Sequence, residues 1–474
     1  MLKKDFNEFV RHSDNSIDIH DPNNQQLLKD KLDSKGPGFC LAKWTQVTTH
    51  LGSGITHSCH HVGAHKIKLD ELEKDPGALH NTEFKKERRR EMLNGERPVE
   101  CDYCWRIEDN TGMHSDRTWK SRDPFSWPDF DSISKMTGDE DVYPRYVEVS
   151  FSNVCNFKCG YCGPAFSSKW GDEIKKDGPY TFSMINWRYN EPTDHQAQIP
   201  QREHNPYIEA FWKWFPEAVK HMHTFRITGG EPLMSKDTIK VMDYLLENPQ
   251  PNLELSINSN ACPPGNKWVE FVNKVKILED KKCIKQFILF VSAESKGAQA
   301  EYNRFGMDWN MFTNNVDYFL KTTNGMCSFM SAFNVLSIPS FFNFLQYVSD
   351  LKDQFIVKET QFQRVIIDTP YVRSPGFLDA KIATHDLVEK YLYPCIPFMQ
   401  KNSFTDREVQ KMDRIVKDLD VRNNKPEEFE REAVEGRRMF YEWIQQYDKR
   451  RGTNFLKTFP EMNKFYEDCK ACMI

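Results

Sequence analysis

The run Val149-Ser-Phe-Ser-Asn-Val-Cys155-Asn-Phe-Lys-Cys159-Gly-Tyr-Cys162-Gly163 sets three cysteines close together, directly after an apolar, β-branched stretch that reads as a strand. Thiolates at such short spacing converge on one metal centre. A ferredoxin-type cluster takes four cysteines and this loop supplies three, so one iron would lack a protein ligand. An open position of that kind separates reactive metal sites from structural ones, because a small molecule can enter it. A zinc knuckle is the alternative, which the spacing suits poorly, with no fourth Cys or His nearby.

Further along, Phe225-Arg-Ile-Thr-Gly-Gly-Glu-Pro-Leu233 reads as a strand ending in Gly229, Gly230, Glu231 and Pro232. Two glycines admit close backbone approach to a ligand, and the Glu can accept from an ammonium. A helical stretch over 235–247 and strands over 253–261, 286–294, 328–336 and 363–369 continue the same rhythm. Continuous apolar strands separated by helical periods predict an α/β fold with a parallel sheet covered by helices. In βα barrels ligands bind at the carboxyl ends of the strands, where polar residues fall in this chain. That placement nominates Asn258, Asn260, Ser292 and Glu294.

The Cys-x3-Cys-x2-Cys loop, with Tyr161 just before its third cysteine, resembles the signature of the radical S-adenosylmethionine (SAM) superfamily, and Gly229 to Pro232 resembles that family's GGEP motif. The resemblance implies a partial (β/α)6 TIM-like barrel and a [4Fe-4S] cluster on Cys155, Cys159 and Cys162, with SAM chelating the fourth iron through its amino and carboxylate groups. It further implies that Glu231 meets the SAM ammonium and that Asn258, Asn260, Ser292 and Glu294 meet its ribose and amino acid part. Arg304, in Tyr302-Asn-Arg-Phe-Gly306, would pair with the SAM carboxylate. A reduced cluster would pass one electron into SAM, giving methionine and a 5′-deoxyadenosyl radical that takes hydrogen from a peptide or small-molecule substrate. An electron donor such as flavodoxin or ferredoxin would be needed.

A second cysteine set precedes this region: Cys40, thirteen residues, Gly54, four residues, Cys59, then Cys101-Asp-Tyr-Cys104. Four thiolates saturate either a cluster or a zinc ion. A helix over 82–93, stopping at Gly95, gives the paired-cysteine loop a scaffold. The spacing resembles the first half of the SPASM domain, also called Twitch, which implies an auxiliary [4Fe-4S] cluster; in the best-known members that domain follows the barrel, whereas here it precedes it. His57, His60 and His61 beside Cys59 are alternative ligands, or serve in solvent-facing or supporting roles. From Cys40 to about Thr369 the pattern resembles Twitch-containing radical SAM proteins of the type carried by large tailed phages and bacteria.

The 474 residues allow two or three domains, expected at 1–140 (auxiliary cluster), 141–380 (partial barrel) and 381–474 (helical extension). The start Met1-Leu-Lys-Lys-Asp-Phe-Asn7 has no signal-peptide core and no apolar run spans a bilayer, so a cytoplasmic protein off the membrane is expected. Thirteen cysteines then point to metal or redox chemistry. A net charge of −5 opposes nucleic acid as partner and makes the basic run at 85–90 a solvated helix face. Val409, Met412, Ile415, Val416 and Leu419, and Phe440, Trp443, Ile444 and Tyr447, mark the packed faces of carboxyl-terminal helices. Cys469 and Cys472, with Cys395, form a candidate redox or metal set. The aromatic insertion over 180–222, with Trp187, Trp212 and Trp214, either covers the site or packs in a core. Two other functional classes stay open: a non-catalytic iron-sulfur or zinc protein on the same scaffold, and an enzyme modifying nucleotides or nucleic acid.

Overall fold

The computed structural model describes residues 24–183, 188–191, 197–200, 202–420 and 426–473. The chain is mixed α/β around a nine-stranded, mostly parallel sheet. Its strands are β1 (Gln46–His50), β2 (Ile55–His57), β3 (His65–Lys66), β4 (Tyr146–Ser150), β5 (Thr224–Thr228), β6 (Gln250–Ser259), β7 (Ile284–Val291), β8 (Met326–Met330) and β9 (Val365–Asp368), in the order β9-β8-β7-β6-β5-β4-β1-β2-β3. Two compact units divide the chain: 1–152 with 198–227 and 250–255, and 153–197 with 228–249 and 256–474.

In the first unit β1 pairs parallel with β4 and antiparallel with β2, so Thr48 stands beside both Glu148 and His57. Its core gathers Leu28, Phe39, Trp44, Met92, Trp127 and Phe130. The helix Glu83–Leu93 starts at Thr82, whose hydroxyl accepts from the Lys85 amide at 3.2 Å. The basic run on this helix departs from the solvated face expected: Lys85 and Arg89, four residues apart on the inner side, are fully buried. Arg89 donates to the carbonyls of Lys43 and Glu140 and to Asn81, while Lys85 donates to Thr56. Burial of a guanidinium is tolerated because those acceptors replace its water. Helix Pro206–Ala218 buries Trp214 with Phe211 and Phe215, so this part of the aromatic insertion is core of the first unit. Trp187 lies outside the described residues.

In the second unit β7 pairs with β8 and β8 with β9, all parallel, and helices Lys236–Glu247, Lys267–Asp280, Trp309–Thr322 and Phe341–Phe355 alternate with the strands. Ile257, Phe287, Leu289, Val291, Cys327 and Phe329 are at most 1 % exposed, which is why these strands read as apolar runs. The strand expected over 328–336 stops at Met330: Asn334 caps a short 3-10 helix, Val335–Ser340, by accepting from the Leu336 amide at 2.9 Å. Helices Asp406–Leu419 and Pro426–Arg451 bury Met412, Ile415, Val416, Leu419 and Phe440, Trp443, Ile444, Tyr447, as their spacing predicts, and Val409 is half-buried. Among the described residues no helix is long and apolar enough to cross a membrane.

Candidate metal and ligand centre

The cysteine loop follows β4 in the chain, and its backbone is held from several sides within the second unit. Cys159 and Lys158 pair antiparallel with Arg304 and Phe305, and the Gly160 amide donates to the Asn303 carbonyl at 2.8 Å. Trp170 donates through Nε1 to the Cys159 carbonyl at 2.8 Å, Ser167 donates to the Phe157 carbonyl at 2.6 Å, and the Tyr189 hydroxyl donates to the carbonyls of Gly160 and Cys162. Arg451 donates to the Lys158 carbonyl at 2.6 Å while its guanidinium pairs with buried Glu173. With its carbonyls engaged outward, the loop turns all three thiols onto one cavity of about 270 Å³, near the lower end of the range for small-molecule clefts.

The rest of the lining comes from the carboxyl ends of consecutive strands: Thr228 at the end of β5 with Gly229 and Gly230 after it, Asn258 and Ser259 at the end of β6 with Asn260 after them, Ser292 after β7, Met330 at the end of β8 with Ala332 beyond it, and Pro370 after β9. Gly229 has φ +127°, a backbone conformation open to glycine. A Cβ on Gly230 would sit 2.4 Å from the Val154 carbonyl oxygen. The Glu231 amide donates to that same carbonyl at 2.7 Å, so the double-glycine turn lies directly on the start of the cysteine loop. Asn260 completes the join, donating through Nδ2 to Asn156 Oδ1 at 2.8 Å.

Of the residues nominated from sequence, Cys155, Cys159, Cys162, Tyr161, Gly229, Gly230, Asn258, Asn260, Ser292 and Arg304 line the cavity. Glu231, Pro232 and Glu294 stand behind the lining. The Glu231 carboxylate accepts from Ser259 Oγ at 2.9 Å and from the amides of Leu233 and Asn260 at 3.1 and 2.7 Å, so it braces the lining residues Ser259 and Asn260. Burial pushes its carboxyl up to about 7, against the three donors that favour the charge. Glu294 is equally enclosed: it accepts from Arg304 through Nε and Nη2 at 2.9 and 2.6 Å and from Asn303 at 2.8 Å. Arg304, expected at a ligand carboxylate, thus has its charge matched by Glu294 and lies 3.9 Å from Cys159 Sγ through Nη1. Sequence reasoning missed Phe157, Phe166, Ser167, Thr228, Ser259, Met330, Ala332 and Pro370 on the lining; the strand-end rule that found Asn258 also reaches Thr228, Ser259, Met330 and Pro370, of which the apolar ones carry no chemical signal.

Burial pushes the Cys155 thiol up to about 12 and raises Cys159 and Cys162 as well, with the neighbouring thiols adding to it at Cys155 and Cys162. Thiols that resist ionisation become ligands when a cation takes the proton's place. Three thiols on one side and polar strand ends on the other therefore fit a cluster with one iron left for a further ligand.

In the first unit Cys40, Cys59, Cys101 and Cys104 line a much smaller cavity, about 30 Å³, with Met92, Val62 and Trp105. Burial raises Cys59, and pushes Cys101 and Cys104 up to about 12. The neighbouring Cys40 adds to the rise at each of these three. Buried Lys43, paired with Glu100, works against the rise at Cys101. Among the described residues no three His, Cys, Asp or Glu side chains converge as the ligands of a single metal ion do. Of the tail cysteines, Cys395 and Cys472 each bond the carbonyl four residues back, at Tyr391 and Asp468, and Cys469 is buried in the helix Asn463–Ala471. All thirteen cysteines are free thiols. No family model matches the chain, and no curated protein matches it.

Proposed function

We propose that the chain is a radical SAM enzyme, its second unit a partial barrel of βα units with helices added at the carboxyl end. The observation that carries this reading is the meeting of Cys155, Cys159 and Cys162 with the Gly229–Gly230 turn and the polar strand ends on one cavity. Cys155, Cys159 and Cys162 would hold a [4Fe-4S] cluster and leave the fourth iron for SAM. When bound, the two supply reductive cleavage of SAM and a 5′-deoxyadenosyl radical that abstracts hydrogen from a peptide or small-molecule substrate.

The residues of the chain do the binding and shielding. The backbone of Gly229 and Gly230 offers close approach to the amino acid part of SAM, and Asn258, Ser259, Asn260 and Ser292 offer hydrogen bonds to its polar groups. Glu231 holds Ser259 and Asn260 in register for that contact. Glu294 orients Arg304, whose guanidinium presents its positive charge to Cys159 and so favours the thiolate. Phe157, Phe166, Met330 and Pro370 supply apolar cover that limits water near a reactive species.

The four thiols of the first unit suit an auxiliary group saturated by protein, since about 30 Å³ leaves no room for substrate beside it. We read its occupant as an auxiliary [4Fe-4S] cluster serving as electron acceptor, with a structural zinc ion as the alternative that four thiolates can also saturate. A donor such as flavodoxin or ferredoxin and a reducing, cytoplasmic setting belong to the same reading. Anaerobic reconstitution tests it: about eight irons per chain and 5′-deoxyadenosine formed on reduction with SAM are expected for two four-iron clusters. Stoichiometric zinc with about four irons would assign the first unit a structural metal, and absence of SAM cleavage by iron-loaded protein would overturn the proposal.

A further inference from the structure

The histidines around Cys59 separate in the fold. His61 pairs with Asp116, stacks on Tyr103 with ring centroids 3.9 Å apart, and lines the four-thiol cavity. His57 instead faces His50 across the β1–β2 hairpin, their rings stacked at 5.5 Å and their Nε2 atoms 3.4 Å apart. His57 Nδ1 lies 2.9 Å from the Cys59 carbonyl oxygen. A carbonyl only accepts, so Nδ1 carries the proton and the lone pair of neutral His57 sits on Nε2, aimed at His50. The His60 ring stands edge-on to His57 at 6.1 Å. Glu148 shares the sheet face through Thr48 and acts electrostatically on both His50 and His60.

We propose that His50 and His57 form a binding site for a divalent transition-metal ion, separate from both thiol sets. Two imidazole nitrogens bound to one tetrahedral ion at about 2.0–2.1 Å stand about 3.4 Å apart, which is the separation found; a well-formed hydrogen bond between them would be shorter. The Nδ1–H to carbonyl contact is the arrangement that fixes the tautomer and ring orientation of metal-bound histidines. Imidazole donors without a thiol select a borderline ion such as Zn2+, Co2+ or Ni2+ over Mg2+ or Ca2+. With two imidazole donors supplied, the remaining positions belong to water or a bound ligand, and Glu148, which pairs with Arg226 at 3.7 Å and accepts from the Tyr146 hydroxyl at 3.1 Å, stands on the same sheet face.

The test is a Co2+ titration of the full chain with its thiol sites already loaded with iron and sulfide, followed by calorimetry and visible absorption. One Co2+ per chain is expected, with weak nitrogen and oxygen-type bands and no thiolate charge-transfer band. His50→Gln and His57→Gln should each weaken that binding by about 100-fold, while His204→Gln, at an exposed side chain paired with Glu209, leaves it unchanged. Melting temperature and iron content measured in parallel show that each variant is folded and that the thiol sites are intact; if His57→Gln fails to fold, His50→Gln decides. Undiminished Co2+ binding in the folded His50 variant, a thiolate band on the bound ion, or no Co2+ bound by the native chain would each overturn the assignment. Because the readout is Co2+ binding and not SAM cleavage, this outcome is independent of the proposed enzymatic function.

Discussion

The two cysteine sets differ in what surrounds the thiols. In the second unit three thiols face a cavity of about 270 Å³ whose far wall is polar strand ends and glycine backbone; in the first, four thiols line about 30 Å³ beside Val62, Met92 and Trp105 and the charged side chains of Lys43, Asp116, Arg117 and Lys120. Burial raises the thiols in both, so acidity does not distinguish them. The number of donors and the open volume do. Three donors beside free space leave coordination for an incoming molecule; four donors around a small volume close the site.

The largest expected effect breaks the closed site. Replacing Cys101 and Cys104 together by Ala should remove the metal of the first unit and abolish substrate turnover, while SAM cleavage at the triad persists, since the two sets share no residue. If zinc is the occupant, thermal unfolding of the first unit itself should drop, because structural zinc contributes directly to folding free energy.

Gly230→Ala attacks the open site through its backbone. With the added Cβ 2.4 Å from the Val154 oxygen and 2.6 Å from the Asn153 carbonyl, the cysteine loop must shift, at a cost of about 1–3 kcal/mol. Iron analysis should show loss from the triad and retention at the four-thiol set; full iron at both would mean that the turn and the loop move independently.

A smaller change is expected from Glu231→Gln. Both carboxylate oxygens receive donors, so the new amide sets one donor against another, costing about 1–3 kcal/mol. SAM affinity, read by calorimetry, should fall about tenfold with iron unchanged, and equal affinity would remove Ser259 and Asn260 from the ligand contact. The native carboxyl is raised above its ordinary value to about 7, so its folded state favours the protonated form. Stability of the native chain relative to the Gln variant should therefore fall as pH rises from about 4.5 to about 7.

Trp170→Phe makes the mildest probe. It removes the Nε1 donor to the Cys159 carbonyl, worth about 1 kcal/mol, and should speed iron loss to a chelator from the triad alone.

What could be read in the sequence was local. Cys155, Cys159, Cys162 and the Gly229–Gly230 turn are short-range patterns, and Asn258, Asn260 and Ser292 follow from the rule that parallel strands present ligand groups at their carboxyl ends. The roles of Glu231 and Glu294 could not be read, because each depends on partners brought in by folding: Ser259 and Asn260 for one, Arg304 for the other. A polar residue next to a strand end looks the same in sequence whether it faces the cavity or braces the residue that does. Lys85 and Arg89 misled for a related reason, since a helix of mean charge so high hides which of its faces is turned inward. The facing of His50 and His57 depends on the hairpin register, with Thr48 opposite His57, which no spacing in the chain announces.

The most direct test of the open site is anaerobic reconstitution of the chain in which Cys155, Cys159 and Cys162 are all replaced by Ala, with iron, sulfide and 5′-deoxyadenosine measured beside the native protein. About half of the iron should be lost and 5′-deoxyadenosine formation abolished, the remaining iron staying with the four-thiol set. Continued SAM cleavage by the triple variant would contradict the assignment of the three-thiol cavity as the reactive centre.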